Sequence, residues 1–148
     1  MTVDAAPLDV LFVCGRNAIR SPMAETLWAR SRPEAGRVAS CGLNPAASPD
    51  PFMIAVMSEL GEDLAEFEPS SLEDMAGAGF DLVISLSQGI DEIAGEYAAG
   101  RKARFLAWPT PDPSYADGSR EQILDAYREC REALRERISA WAPETSSI

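Results

Sequence analysis

Cys14 and Arg20 are separated by five residues, Gly15-Arg16-Asn17-Ala18-Ile19, and followed by Ser21-Pro22-Met23-Ala24-Glu25. A cysteine and an arginine at that spacing can serve one reaction if the backbone between them curls round an anion. The loop N–H groups would converge on the anion, Arg20 would close the ring with its planar fork, and Cys14 would lie at the bottom. Converging N–H groups, a helix N-terminus and an arginine all favour a thiolate. A thiolate facing a tetrahedral anion is a nucleophile in position to attack. The bland alternative for Cys14 is an inert buried thiol at a strand end, which fits poorly with Asn17, Arg20 and Ser21 directly after it. For Arg20 it is a surface arginine.

Two elements must position such a loop. Upstream, Val10-Leu11-Phe12-Val13 is apolar throughout and too short for a helix, so it reads as a strand covered on both faces. Strands of that kind end where ligands bind. Downstream, Ser21 is expected to be the N-cap and Pro22 the first residue of a helix that runs to about Ser31 and stops at Pro33. Further strands are expected over Arg37–Ser40, Asp81–Leu86 and Arg104–Ala107. Helices are expected over about Pro51–Leu60, with Gly61 just beyond its end, over a short stretch capped by Ser71, and over Ile90–Ala98. A last helix starts near Ser119, and Ile123, Tyr127, Cys130, Leu134, Ile138 and Trp141 form its apolar stripe. Strands alternating with helices imply an α/β fold of three layers: a four-stranded parallel sheet with helices on both faces and right-handed crossovers.

Composition bounds the rest. The 148 residues, 46% of them apolar, fit one domain spanning residues 1–148. A net charge of −11 argues against nucleic acid or an anionic membrane as partner, since either needs a basic face. The charge is uneven: residues 1–40 hold five arginines against four acids, whereas residues 41–148 hold eight basic residues against twenty acids. The Cys14 loop is thus a cationic spot on an acidic chain. Seven acids and no base between Glu59 and Asp74 read as a solvated face, with a docking surface for a basic partner as the alternative. Three cysteines at wide spacing and no histidine make neither a disulfide framework nor a common metal-ligand set, so no metal is expected. No Gly-x-Gly-x-x-Gly follows a strand, which removes dinucleotide binding. The N-terminal stretch lacks the pattern of a signal peptide, and a reducing cytoplasm is expected.

The Cys14-to-Arg20 spacing followed by Ser-Pro-Met-Ala-Glu resembles the low-molecular-weight protein tyrosine phosphatases, whose scaffold is shared by thioredoxin-coupled arsenate reductases. The similarity extends over nearly the whole chain: Val38-Ala39-Ser40, Phe80-Asp81-Leu82-Val83-Ile84 and Asp112-Pro113 fall in the family's order. The resemblance implies the strand order 2-1-3-4. It also implies a cysteine-dependent phosphomonoester hydrolase that works through a phosphocysteine and needs no cofactor. Cys14 is then the nucleophile, Arg20 holds the equatorial oxygens, and Asp112 is the general acid and later the base for water. Gly15, Arg16, Asn17, Ala18, Ile19 and Ser21 bind the substrate phosphate, with the Ser21 hydroxyl also donating to the sulfur. Asn17 is suited to a left-handed conformation, and in the family it holds the loop through a network that includes the serine matched by Ser40. Tyr115 supplies an aromatic wall. Implied partners are a phosphotyrosine protein or a small phosphomonoester, with phosphate and other oxyanions as inhibitors.

The chain departs from the pattern at four places. Arg16 stands where the family usually has glycine. Ile19 stands where many relatives carry a second cysteine, so the usual protective disulfide cannot form; Cys41 is the nearest substitute, and a packing role is the expected one for it. Ser114 precedes Tyr115 where two aromatics are usual. The network histidine has no counterpart. Two other functions compete. A thioredoxin-coupled arsenate reductase needs two further cysteines near the loop after the third strand, and none occurs between Cys41 and Cys130; a single-cysteine, glutathione-dependent form stays open. A non-catalytic phosphate-binding module is the other, and the retention of Cys14, Arg20 and Asp112 together counts against it. Ser85 and Ser87, at the end of the third strand, either line the site or satisfy backbone groups.

Overall fold

The structure, a computed structural model, describes residues 8–32 and 36–142. Pro33, expected to stop the first helix, and residues 143–148 lie outside the described residues. Four parallel strands, β1 (Val10–Cys14), β2 (Val38–Gly42), β3 (Leu82–Ser85) and β4 (Arg104–Ala107), pair in the order β2-β1-β3-β4. Helices α1 (Arg20–Ser31), α2 (Pro51–Ser58), α3 (Asp91–Gly100) and α4 (Arg120–Ala140) cover the sheet on both sides. This is the α/β fold and strand order expected above. Among the described residues no helix is long and apolar enough to cross a membrane.

β1 lies inside the sheet and every residue of it is buried. Side chains alternate along a strand, so Val10, Phe12 and Cys14 join Ile84, Leu86 and the apolar faces of α1, α2 and α4. Leu11 and Val13 turn the other way, with Cys41, Val83 and the Ala94, Tyr97 and Ala98 face of α3. The same alternation thus places Cys14 and Cys41 on opposite faces of the sheet, because Cys41 pairs with Val13 and not with Cys14.

Helix ends follow local chemistry at α2 and α4. Asp50 caps α2 by accepting from Phe52 N and Met53 N, and Gly61 takes a positive φ just past the end. Ser119 and Gln122 form a reciprocal capping box at α4. At α1 the expectation is corrected: the helix begins at Arg20, Ile19 holds the N-cap position, and no side chain caps it. Ser21 is drawn inward instead, as described below. The α4 stripe also shifts: Leu124 and Arg131 are buried there, whereas Ile123 is only partly covered and Trp141 follows the helix. Arg131 tolerates burial because its Nη1 donates to Val56 O and to Glu59 Oε1, both at 2.8 Å.

Glu59 joins α2 to α4 through Arg128 and Arg131. Hydrogen bonds from Arg128 first, then Arg131, push its carboxyl from the usual 4.5 down to about 2. A depressed folded value means that the interaction stabilises the fold above pH 4.5 and that this stability is lost as pH falls towards about 2. Solvent screening keeps the effect small, since more than a third of the side chain is exposed. Glu59→Gln is expected to flatten the fall of melting temperature across that window. The same slope in both proteins would assign the acid sensitivity elsewhere.

Candidate active site

β1 delivers Cys14, 2% exposed, to the C-terminal edge of the sheet, and α1 starts six residues later. The loop between them is shaped by the segment that follows β2. The carbonyls of Cys14, Gly15, Arg16 and Ala18 accept from the N–H groups of Leu43, Asn44, Ala46 and Asp50 at 2.9–3.3 Å. With its carbonyls taken on that side, the loop turns N–H groups to the other; among the described residues those of Arg16, Ala18 and Ile19 meet no protein acceptor. Such a concavity of N–H groups at a helix start is an anion cradle. Gly42 allows it to close: a Cβ there would stand 2.7 Å from Asn17 N and 2.9 Å from Gly15 O. Asn17 takes φ 52°, the left-handed conformation expected of it.

The sulfur sits among polar groups. Ser21 Oγ is 2.9 Å from Cys14 Sγ, and Asn17 N donates to the same sulfur at 3.3 Å. Asn17 Nδ2 donates to Ser21 Oγ at 2.8 Å and to Ser40 Oγ at 3.0 Å, while Asn17 Oδ1 accepts from Ser70 N at 2.7 Å. Ser40 Oγ in turn donates to Glu25 Oε1 at 2.5 Å. This network is why Ser21 does not cap α1: its hydroxyl, wholly buried, faces the sulfur and Asn17 instead. Burial raises the Glu25 carboxyl above its usual range, and the Ser40 hydroxyl partly offsets this. Glu25, Gly42 and Ser70 were not singled out from the sequence. Glu25 was the most legible of them, since it lies four residues after Ser21 and therefore on the same helix face.

Arg20 and Asp112 meet at the mouth. Arg20 Nη1 donates to Thr110 O at 2.8 Å, and its Nη2 lies 3.6 Å from Asp112 Oδ2. Asp112 also caps a 3₁₀ turn, Pro113–Tyr115, its Oδ1 accepting from Ser114 N at 2.8 Å. Cys14, Arg16, Ala18, Ile19, Arg20 and Asp112 line one cleft of about 350 Å³. Its other wall is Ala46 and Ser48 to Pro51 with Ser114, a stretch that the sequence marks only by Pro45, Pro49 and Pro51. Asp50 in that wall is held twice, capping α2 and accepting from Tyr127 OH at 3.0 Å. Gly15 and Asn17 belong to the cradle but not to the cleft surface, and Ser40 stands behind Asn17. Tyr115 is 86% exposed and outside the cleft lining, where Ser114 takes the place of a wall. Ser85 Oγ donates to Asp91 Oδ1 at 2.7 Å with Ser87 O 3.2 Å away, and neither serine lines the cleft.

The sheet geometry bears on oxidation. Cys41 lies across the sheet from Cys14, and burial, with smaller contributions from Cys14 and Asp74, pushes its thiol up to about 12. Ile19 offers no sulfur. Peroxide is therefore expected to carry Cys14 past the sulfenic acid to forms that dithiothreitol does not restore. Peptide mass spectrometry finding a reversible Cys14–Cys41 disulfide would refute this.

Known proteins share this arrangement. The family described as low molecular weight phosphotyrosine protein phosphatase matches residues 9–147. The glutaredoxin arsenate reductase of Synechocystis sp. is 34% identical over 131 residues, covering 87% of this chain and 92% of that protein. The probable low molecular weight protein-tyrosine-phosphatase EpsP of Ralstonia nicotianae is 28% identical over 142 residues, covering 94% and 97%. Among solved structures, an arsenate reductase in the phosphate binding state superposes with a TM-score of 0.73 at 31% identity, covering 89% of this chain and 94% of that one. The match takes in all four strands, the cradle and all four helices, and the chain belongs to the low molecular weight phosphotyrosine protein phosphatase family.

Proposed function

We propose that the chain is a phosphomonoester hydrolase of the protein tyrosine phosphatase type, acting in a reducing cytoplasm. The observation that carries this reading is the Cys14 sulfur, met by Ser21 Oγ and Asn17 N, in a cleft that also presents Arg20 and Asp112. The phosphate of a phosphotyrosine or small phosphomonoester binds the loop N–H groups and Arg20. Cys14 Sγ attacks phosphorus, the S–P bond forms, and the P–O bond to the leaving group breaks as Asp112 gives that oxygen a proton. The Asp112 carboxylate then takes a proton from water, the water oxygen bonds to phosphorus, and the S–P bond breaks to return the thiolate. A Ser21 hydroxyl donating to the sulfur makes it a better leaving group in this second step.

A second reading is favoured by the 34% identity to a glutaredoxin arsenate reductase. Cys14 would attack arsenate in the same cradle. The electrons for reduction would then have to come from an external thiol, because Cys41 is on the other sheet face and the loop after β3 carries no cysteine. Turnover of p-nitrophenyl phosphate, measured beside arsenate reduction with thioredoxin, or with glutathione and glutaredoxin, separates the two. Hydrolysis without arsenate reduction is expected. Arsenate reduction alone would replace the first reading by the second, and phosphate binding without either reaction would make the chain a phosphate-binding module.

A further inference from the structure

We infer that Glu25 is a positioning residue for the nucleophile: by accepting the Ser40 hydroxyl hydrogen it sets the direction of the Ser40–Asn17–Ser21 hydrogen-bond chain, so that Ser21 donates to Cys14 Sγ. The inference rests on Cys14 being the reactive sulfur. A carboxylate has no hydrogen to give, so Ser40 Oγ must donate to it at 2.5 Å. Ser40 then has only lone pairs to offer Asn17, which must answer with Nδ2. The second hydrogen of Nδ2 goes to Ser21 Oγ at 2.8 Å. Ser21, already accepting, turns its own hydrogen to the sulfur at 2.9 Å, and the competing acceptor, Cys41 O, is at the outer limit of 3.5 Å. The Ser70 N–H, held by Asn17 Oδ1, demands the same amide orientation from the opposite side.

Without an acceptor at Glu25, the Ser40 hydrogen has to compete with those of Asn17 Nδ2. The amide is then drawn to turn over, presenting Oδ1 to both serines, and Ser21 donates to Asn17 instead of to the sulfur. This reversal is resisted only by the Ser70 bond. Glu25 is also placed to remain an acceptor. It lines a surface cleft with Arg30, Val38 and Glu62, so that solvent reaches a half-buried carboxyl. The chain contains no histidine, and the network ends on this acid.

The test is the rate of Cys14 alkylation by iodoacetamide at neutral pH, which needs no substrate. Burial pushes the Cys41 and Cys130 thiols up to about 12, so peptide mapping is expected to find the label on Cys14. Glu25→Ala should slow alkylation about tenfold, as for loss of a hydrogen bond to a charged sulfur, whereas Ser40→Ala, which removes the competing hydrogen and leaves the Ser70 bond in place, should stay within about twofold of the parent rate. Glu25→Gln retains an acceptor oxygen and should stay within about twofold of the parent rate. Ser21→Ala should be as slow as Glu25→Ala, and the Ser21→Ala/Glu25→Ala double variant no slower, because both act through one bond. Additive slowing, a Glu25→Gln as slow as Glu25→Ala, a Ser40→Ala as slow as Glu25→Ala, or a parent rate in Ser21→Ala would each overturn the inference. If Glu25→Ala does not fold, Glu25→Met, which has the bulk without the carboxyl acceptor, takes its place against Glu25→Gln. Failure of this coupling in a protein that hydrolyses p-nitrophenyl phosphate sinks only the inference. Intact coupling in a protein without turnover sinks only the proposed function.

Discussion

Cys14→Ser is expected to lower phosphomonoester turnover by about 10⁴-fold or more while phosphate binding persists. A neutral hydroxyl in place of the thiolate is a poor nucleophile and, once phosphorylated, a poor leaving group. The cradle does not depend on the sulfur: its carbonyls are tied to Leu43, Asn44, Ala46 and Asp50, and Gly42 packs against its back. Asn17 N and Ser21 Oγ, which flank the sulfur, can meet an oxygen equally well. Steady-state kinetics on p-nitrophenyl phosphate and calorimetric titration with inorganic phosphate check both halves. Wild-type turnover in Cys14→Ser would exclude the phosphocysteine route. Lost turnover together with lost phosphate binding would mean that the sulfur holds the loop together.

Asp112→Asn is the second large effect, expected at roughly a hundredfold on phenyl phosphate. The amide oxygen can still accept from Ser114 N, so the 3₁₀ turn survives and the loss is chemical. What disappears is the proton for the leaving oxygen and, afterwards, the base for water. A p-nitrophenolate leaves without much protonation, so the first step with p-nitrophenyl phosphate should suffer much less, which a burst-phase measurement resolves. Asp117, an exposed residue outside the cleft lining, is the control. Wild-type rates on both substrates in Asp112→Asn, together with slow Asp117→Asn, would move the acid to Asp117. The contact of Arg20 with Thr110 O and its approach to Asp112 Oδ2 add one expectation: Asp112→Asn should alter phosphate affinity as well, because a charge beside the anion-binding arginine is removed.

Local pattern in the sequence determined most of the fold. The apolar run of β1 and the alternation of strands with helices are short-range signals, and so are the capping residue before α4 and the glycine after α2; each was realised where expected. The 2-1-3-4 order came from family resemblance, because periodicity cannot say which strand lies beside which. The placement of Cys14, Arg20 and Asp112 on one cleft followed from the same resemblance and is met in the structure.

Only the tertiary structure decided which partners each polar group found. Ser21 had the local chemistry of a helix cap, but a buried sulfur 2.9 Å away and the Asn17 amide at 2.8 Å took its hydroxyl, contacts made by residues that the strand–loop–helix path brings together. Distance along the chain left Cys41 open between a substitute for the missing cysteine at Ile19 and a packing role. Pairing with Val13 turned it to the opposite sheet face, where it packs in the core as expected. Glu25 meets Ser40 only because β2 sets that serine against α1, 15 positions away in sequence. The exposure of Tyr115 is likewise set by the turn that Asp112 caps. Elements form from neighbours in sequence, whereas the partner of a buried hydroxyl is set by the folded path of the chain, four and seven residues away for Ser21 and 15 for Ser40 with Glu25.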